Sequence, residues 1–75
     1  MTVHDLNPGD FCRLRVGTPA RYLGWGLAIA ICSQDNEPMV GRAALADEES
    51  TNLPLPTNRE VMTAIAAVRV ARGLP

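Results

Sequence analysis

The chain has little from which a nucleic-acid-binding or catalytic protein is usually built. Its 75 residues include no lysine, one histidine and one each of tryptophan, tyrosine and phenylalanine. All seven basic residues are arginines, and eight acids leave a net charge of −1 at pH 7. A chain so close to neutral has no overall positive field that would attract nucleic acid or anionic lipid. An aromatic content of 4% also leaves few rings on which bases could stack.

Residues for nucleophilic catalysis or metal binding are equally scarce. The only candidates are His4 with its neighbour Asp5 and two cysteines, Cys12 and Cys32. A nucleophile needs a base and an orienting group within reach, and zinc ligands usually come in pairs at short spacing. Neither arrangement occurs, and we expect both cysteines to be free thiols that act as small hydrophobes. The sequence therefore predicts no enzymatic activity, no cofactor and no metal.

Long hydrophobic runs are also missing. The longest apolar run, residues 22–32, is too short and too rich in glycine to cross a bilayer. The first ten residues are polar and lack the apolar core of a signal peptide, so we expect a cytoplasmic location. A chain of 8.1 kDa is predicted to form one domain over residues 1–75. A domain of this size buries only a small core, so added burial against a partner would stabilise it.

What the sequence does contain is a regular alternation of large and small apolar residues between Leu23 and Cys32. A period of two predicts a strand with one bulky face and one nearly bare face. Turn-forming sequences divide the rest, and the predicted strands cover about residues 11–16, 22–33 and 39–45.

The expected register of this sheet follows from its polar residues. Cys12, Leu14 and Val16 should share a face with Leu23, Trp25 and Leu27, since a slip of one residue would set arginines against Trp25.

The last element is predicted to be a helix over about residues 58–72. Thr57 and Glu60 have the spacing of a capping box, and Gly73 is placed to end the helix. Val61, Ile65 and Val68 form an apolar stripe at helical spacing. A loop over residues 46–56 should precede it. The predicted fold class is α+β, a three-stranded antiparallel sheet followed by one C-terminal helix that packs on the bulky face.

The bare face of the central strand carries Gly24, Gly26, Ala28 and Ala30. Small residues let a second backbone approach closely. We therefore expect this face to contact a second copy of the chain, giving a homodimer with closed symmetry.

Charged residues supply the remaining candidates for a binding surface. Arg13 and Arg15 should lie on the polar face of the first strand, where nearby aromatic rings could also stack on bases. An acidic run in the loop could contact a basic patch on a partner. A protein partner is expected, and nucleic acid is the alternative. The predicted partner-binding residues are Arg13, Arg15, Arg42, Asp47, Glu48 and Glu49.

One segment suggests a family. Glu37-Pro-Met-Val-Gly-Arg-Ala-Ala44 is a returning strand that leads through a loop to an alanine-rich helix. This pattern resembles the strand-strand-helix cores of small phage-encoded anti-CRISPR proteins. Similar cores occur in antitoxins of the HicB type and in double-stranded-RNA-binding folds, although the chain lacks the amino-terminal helix and lysine cluster of the latter. The resemblance covers less than half the chain and carries over no functional residue.

The resemblance implies a non-enzymatic inhibitor, encoded by a mobile element, that binds a bacterial defence complex such as CRISPR-Cas. Two other functions stay open. One is a small nucleic-acid-binding regulator that uses the arginine-bearing sheet face, and the other is a structural subunit of a phage particle.

Overall fold

The computed structural model describes residues 1–49 and 52–74. Four strands precede one α-helix, and β1 pairs with β4 as well as with β2, so the antiparallel sheet closes into a small barrel. The elements are a 3₁₀ helix at Val3–Asp5, β1 at Phe11–Leu14, β2 at Pro19–Gly24, β3 at Leu27–Ile31, β4 at Pro38–Ala44 and α1 at Asn58–Ala71. The predicted α+β class, with an antiparallel sheet and a C-terminal helix, is confirmed. The predicted number of three strands is wrong.

The fourth strand arises because a tight hairpin divides the segment predicted as one strand over 22–33. Trp25 and Gly26 form the turn, with φ angles of 57° and 78°. Positive φ at both central residues is what a two-residue type I′ turn requires, and glycine adopts it without steric cost. The hydroxyl of Tyr22 accepts a hydrogen bond from the backbone N–H of Gly26 at 3.0 Å. This contact holds the turn against β2.

The predicted bare face lies inside the barrel. Ala28 and Ala30 are 0% exposed, and Ala28 stands opposite Tyr22 on one side and Gly41 on the other. A barrel of eight strands is just wide enough to be filled by side chains, so four strands leave room mainly for small ones. A Cβ added at Gly41 would lie 3.4 Å from Cδ2 of Leu14.

The prediction that the bare face contacts a second copy is therefore wrong, because this face is not on the outside of the protein. Ala28 and Ala30 are enclosed by the chain itself. Gly24 is the last residue of β2, and Gly26 lies in the hairpin turn. A homodimer stays a prediction, but it would need another surface.

The amino-terminal residues help to enclose this interior. Val3 and Leu6 pack against the cluster that contains Cys12 and Tyr22. Backbone bonds fasten the segment, since Gly9 N–H donates to the carbonyl of Tyr22 at 2.8 Å. Residues 7–10 form a turn in which Asp10 N–H donates to the carbonyl of Asn7 at 3.0 Å and Gly9 has φ 95°.

The predicted register of β1 is wrong. Phe11 pairs with Arg21 and Cys12 pairs with Ala20, so Cys12 and Leu14 face the interior while Leu23 faces outward. Strand β1 ends at Leu14, two residues earlier than predicted, and Val16 is 82% exposed in the following turn.

Helix α1 covers the outer surface of β2 and β3, as predicted. Val61 and Val68 form a buried cluster with Leu23 and Ile29, and Ile65 packs against it. Trp25 also joins this cluster but is only partly buried, because it lies at the hairpin tip. The sheet therefore has a core on each side, one inside the barrel and one beneath the helix.

Both predicted ends of α1 are observed. Thr57 N–H donates to Glu60 Oε1 at 3.0 Å, and Glu60 N–H donates to Thr57 Oγ1 at 3.2 Å. At the other end, Gly73 has φ 68° and Leu74 N–H donates to the carbonyl of Arg69 at 2.8 Å. These bonds satisfy backbone groups that a helix end leaves without partners.

The connection between β4 and α1 is irregular wherever it is described, as predicted. Ser50 and Thr51 lie outside the described residues. No helix in the described part of the chain is long and apolar enough to cross a membrane.

Candidate functional site

Three of the predicted binding residues come together where β1 and β4 meet. The helix packs on β2 and β3, which leaves the outer surfaces of β1 and β4 outside its main contact. Arg13 lies on β1, Arg15 follows directly after it, and Arg42 lies on β4. We call the surface formed by these three residues the arginine face.

Arg13 is held flat along this surface. Its guanidinium carbon lies 5.6 Å from the centre of the Phe11 ring, within the range of a cation–π contact. Its Nη1 donates to the carbonyl of Gly17 at 3.0 Å. Neither contact neutralises its charge. The ring of Phe11 is already covered by Arg13, so this face of the ring is not available to a nucleic-acid base.

Arg15 and Arg42 stand opposite each other where β1 and β4 meet. The N–H of Arg15 donates to the carbonyl of Arg42 at 3.1 Å, continuing the register in which Leu14 pairs with Ala43. Both residues are exposed. Among residues 1–49 and 52–74, neither side chain has a hydrogen bond or an ion pair. Like charges directly opposite one another destabilise a sheet, and a bound anion would remove that cost.

In the acidic run over residues 47–49, Glu49 pairs with an arginine of β2 that is not part of the arginine face. Glu49 forms an ion pair with Arg21, Oε1 to Nη2 at 3.2 Å. An exposed pair of this kind contributes at most about 1 kcal/mol, but it does neutralise Arg21. Asp47 and Glu48 are exposed in the loop after β4. Of the six predicted residues, the structure therefore brings together the three arginines, while Glu49 is used by Arg21.

The thiols are poorly placed for nucleophilic chemistry. Both cysteines are free, and Cys12 is buried inside the barrel. Burial raises the pKa of the Cys12 thiol to about 11, although Arg21 opposes the shift and Asp10 adds to it. The thiolate, which is the reactive form, is therefore scarce at neutral pH. The described residues contain no group of three or more His, Cys, Asp or Glu side chains that could hold a metal ion.

The sequence analysis missed a second feature next to the arginine face. Strand β4 pairs with β1 only at Ala43 and Ala44, so among residues 1–49 and 52–74 the stretch 38–41 has a paired strand on one side and none on the other. Met39 and Val40 are 42% and 48% exposed there. We call this stretch the open edge of β4. Pro38 was the residue in the sequence that could have indicated this open edge, because proline within a sheet is confined to edges, strand starts and bulges.

An apolar groove of about 310 Å³ runs beside this edge, between β4 and α1. We call it the β4 groove. Its lining comprises Ile29, Pro38, Val40, Arg59, Glu60, Thr63, Ala64 and Ala67.

Comparison with known proteins adds no relative. No protein-family model matches the chain, and neither the curated proteins nor the solved structures contain a significant match.

Proposed function

We propose that this protein is a non-enzymatic binding module that binds an acidic surface of a partner protein through the arginine face. The observation that carries the proposal is the pair Arg15 and Arg42, two exposed like charges, one directly after β1 and one opposite it on β4, without an acidic partner in the described part of the chain. Guanidinium groups bind carboxylates with two parallel hydrogen bonds, which gives geometric specificity as well as charge. The closed barrel beneath them provides a rigid support.

Four observations favour a protein partner over nucleic acid. Arg21 is already neutralised by Glu49, and the Phe11 ring is covered by Arg13. The exposed acids Asp47 and Glu48 would repel phosphates. Exposed apolar side chains lie on the same strand as Arg42, and apolar residues together with arginine are typical of protein interfaces.

The specific form of this function is inhibition of a bacterial defence complex, which is what the resemblance to small anti-CRISPR proteins implies. Binding alone suffices for such a role, because occupying a partner's surface blocks it without any chemistry.

Affinity capture with matched variants tests the proposal. The wild-type chain, an Arg13→Gln/Arg15→Gln variant and an Arg69→Gln/Arg72→Gln variant are immobilised and exposed to a nuclease-treated bacterial lysate. Both variants lose two positive charges, but only the first loses them from the arginine face. We expect the same proteins to be captured by the wild type and by the helix variant and to be lost from the face variant. Circular dichroism shows whether each variant is folded.

Two outcomes would contradict the proposal. Capture by the face variant at wild-type levels would mean that the arginine face is not the binding surface. A tight complex with DNA or RNA, weakening steeply as salt rises, would instead establish the nucleic-acid-binding regulator, because neutralised phosphates release counterions.

A further inference from the structure

The backbone of β4 presents hydrogen-bonding groups to solvent at its open edge. Ala43 N–H donates to the carbonyl of Gly26, and Cys32 N–H donates to the carbonyl of Glu37, both at 2.9 Å. Residues 37, 39, 41 and 43 therefore direct their backbone N–H and C=O groups toward β3. In an antiparallel strand the intervening residues direct their backbone N–H and C=O groups away from that neighbour. Arg42 follows this rule, since its carbonyl accepts a hydrogen bond from Arg15 N–H.

Val40 is the residue whose backbone groups this alternation leaves without a hydrogen-bond partner in the described part of the chain. Its N–H and C=O both point away from β3, on the side where β1 pairs only as far as Ala43 and is bonded only to Arg42 beyond that. The carbonyl of Pro38 points the same way. An exposed row of this kind is a template on which another extended chain can pair.

Pro38 limits what can pair here. It has no N–H to donate, so a strand added along this edge gains both groups of Val40 and only an acceptor from Pro38, while the carbonyl of Arg42 is already used by Arg15. The edge thus suits a short segment and disfavours open-ended aggregation.

The β4 groove supplies a site for one side chain of that segment. A residue paired with Val40 has its side chain on the same face as Val40, which lines the groove with Ile29 and Ala64. The one acid in the lining, Glu60, is engaged at the helix start, where its carboxylate accepts from Thr57. The pocket therefore favours an apolar side chain.

The two arginines at the end of the open edge indicate which residues of the bound segment should lie on either side of its apolar residue. Arg42 and Arg15 lie where β4 reaches β1, and both are without an acidic partner in the described part of the chain. An incoming segment that passes Val40 reaches this pair next. Since side chains alternate between faces, acidic residues two positions from the apolar one complement it.

We propose that the open edge of β4 binds an extended acidic segment of a partner protein by strand addition, with an apolar side chain in the β4 groove and carboxylates on Arg15 and Arg42. In this mode of recognition, main-chain bonds supply affinity and alternate side chains supply specificity. The inference rests on the proposed function, because it assumes that the arginine face takes part in binding.

A second copy of the chain fits the same edge less well. Two β4 strands paired around Val40 would set Arg42 of each copy opposite Pro38 of the other, where no carboxylate meets the arginine. Self-pairing is therefore an outcome that the test must detect.

The test uses the full chain labelled with ¹⁵N and three short peptides with blocked ends. One carries glutamate two residues on either side of a central valine with serine between them, one carries lysine in place of those glutamates, and one keeps the glutamates and has serine in place of the valine. We expect saturable shifts only with the valine-glutamate peptide, largest at the amides of Val40 and Arg42.

Three variants separate the contributions. Val40→Pro removes the outward N–H without removing a bond to β3, and we expect at least about a tenfold loss of affinity. Val40→Ala keeps the N–H and tests the side chain alone. Arg42→Gln should weaken binding several-fold, whereas Arg72→Gln, with the same net charge but at the far end of α1, should leave it unchanged. Arg42→Gln keeps the test decisive if Val40→Pro does not fold.

Each contrary outcome has one meaning. If the glutamate peptide without valine binds equally well and Val40→Pro binds like the wild type, strand addition is wrong and the proposed function stands. If neither acidic peptide shifts any amide at millimolar concentration, both are wrong. If the Val40 amide shifts with protein concentration alone and the mass doubles, the edge pairs with a second copy and the inference fails.

Discussion

An arginine in place of Ala28 would place a charge at the centre of the barrel. Ala28 is 0% exposed between Tyr22 and Gly41, and the described residues include no buried polar or charged group that could pair with a guanidinium. An unpaired buried charge costs about 3–5 kcal/mol, and overpacking adds about 1–3 kcal/mol. At the usual stability per residue, a chain of 75 residues has a free energy of unfolding of about 4–11 kcal/mol. We therefore expect Ala28→Arg to leave most of the chain unfolded.

Far-ultraviolet circular dichroism with a thermal scan measures this, and Ala66→Arg is the matched control. Ala66 is exposed on α1, so the same substitution there should change the free energy of unfolding by no more than about 0.5 kcal/mol. If Ala28→Arg instead unfolded cooperatively near the wild-type temperature, Ala28 would have to face solvent, as it would in an open sheet. That result would refute the placement of the small residues inside the barrel.

Two further predictions concern the helix cap and the buried thiol. Thr57→Ala removes the acceptor for Glu60 N–H and should cost about 1 kcal/mol, seen as a melting temperature lower by about 4–8 °C. Thr57→Ser keeps the acceptor, and equal losses in the two variants would contradict the capping role. The pKa of Cys12 rises from 9.0 to about 11 on folding, so the neutral thiol favours the fold below pH 9, and that contribution is lost as pH rises toward 11. Urea unfolding should show this loss in the wild type and not in Cys12→Ala, and parallel pH profiles would contradict it.

Helix α1 was predictable because its signals are local. The cap at Thr57, the stripe from Val61 to Val68 and the end at Gly73 all lie within one segment and agree with one another. No long-range contact is needed to recognise them.

The hairpin between β2 and β3 was missed for a geometric reason. A two-residue turn alone reverses the phase of a two-residue period, but a β-bulge between Tyr22 and Gly24 shifts the register by one residue. Leu23 and Leu27 therefore both lie on the outer side although the chain reverses between them. The alternation therefore continues through the turn without a break. The one feature of the sequence that indicated the hairpin was a glycine on each side of Trp25, which favours a turn over a strand interior.

The arginine face was predicted in part, since Arg13 and Arg15 were expected to share the polar face of the first strand. Arg13, Arg15 and Arg42 were recognised as surface charges, but the opposition of Arg15 and Arg42 depends on the pairing of β1 with β4. That pairing joins segments far apart in sequence, and neither the period nor the turns indicate it. The open edge of β4 was missed for the same reason.

The closure of the sheet is the claim on which the interior, the arginine face and the open edge all depend. Leu14 and Ala43 form a pair between β1 and β4 that is not hydrogen-bonded, and in such a pair the Cα atoms lie about 4.5 Å apart with their Hα atoms facing. In an open four-stranded sheet the same strands would be about 14 Å apart. A nuclear Overhauser spectrum of the full chain should show a strong Hα–Hα cross-peak between Leu14 and Ala43, alongside the peak between Ile29 and Val40 that reports on β3 and β4. Observation of the second peak without the first would contradict the closed barrel and the surfaces derived from it.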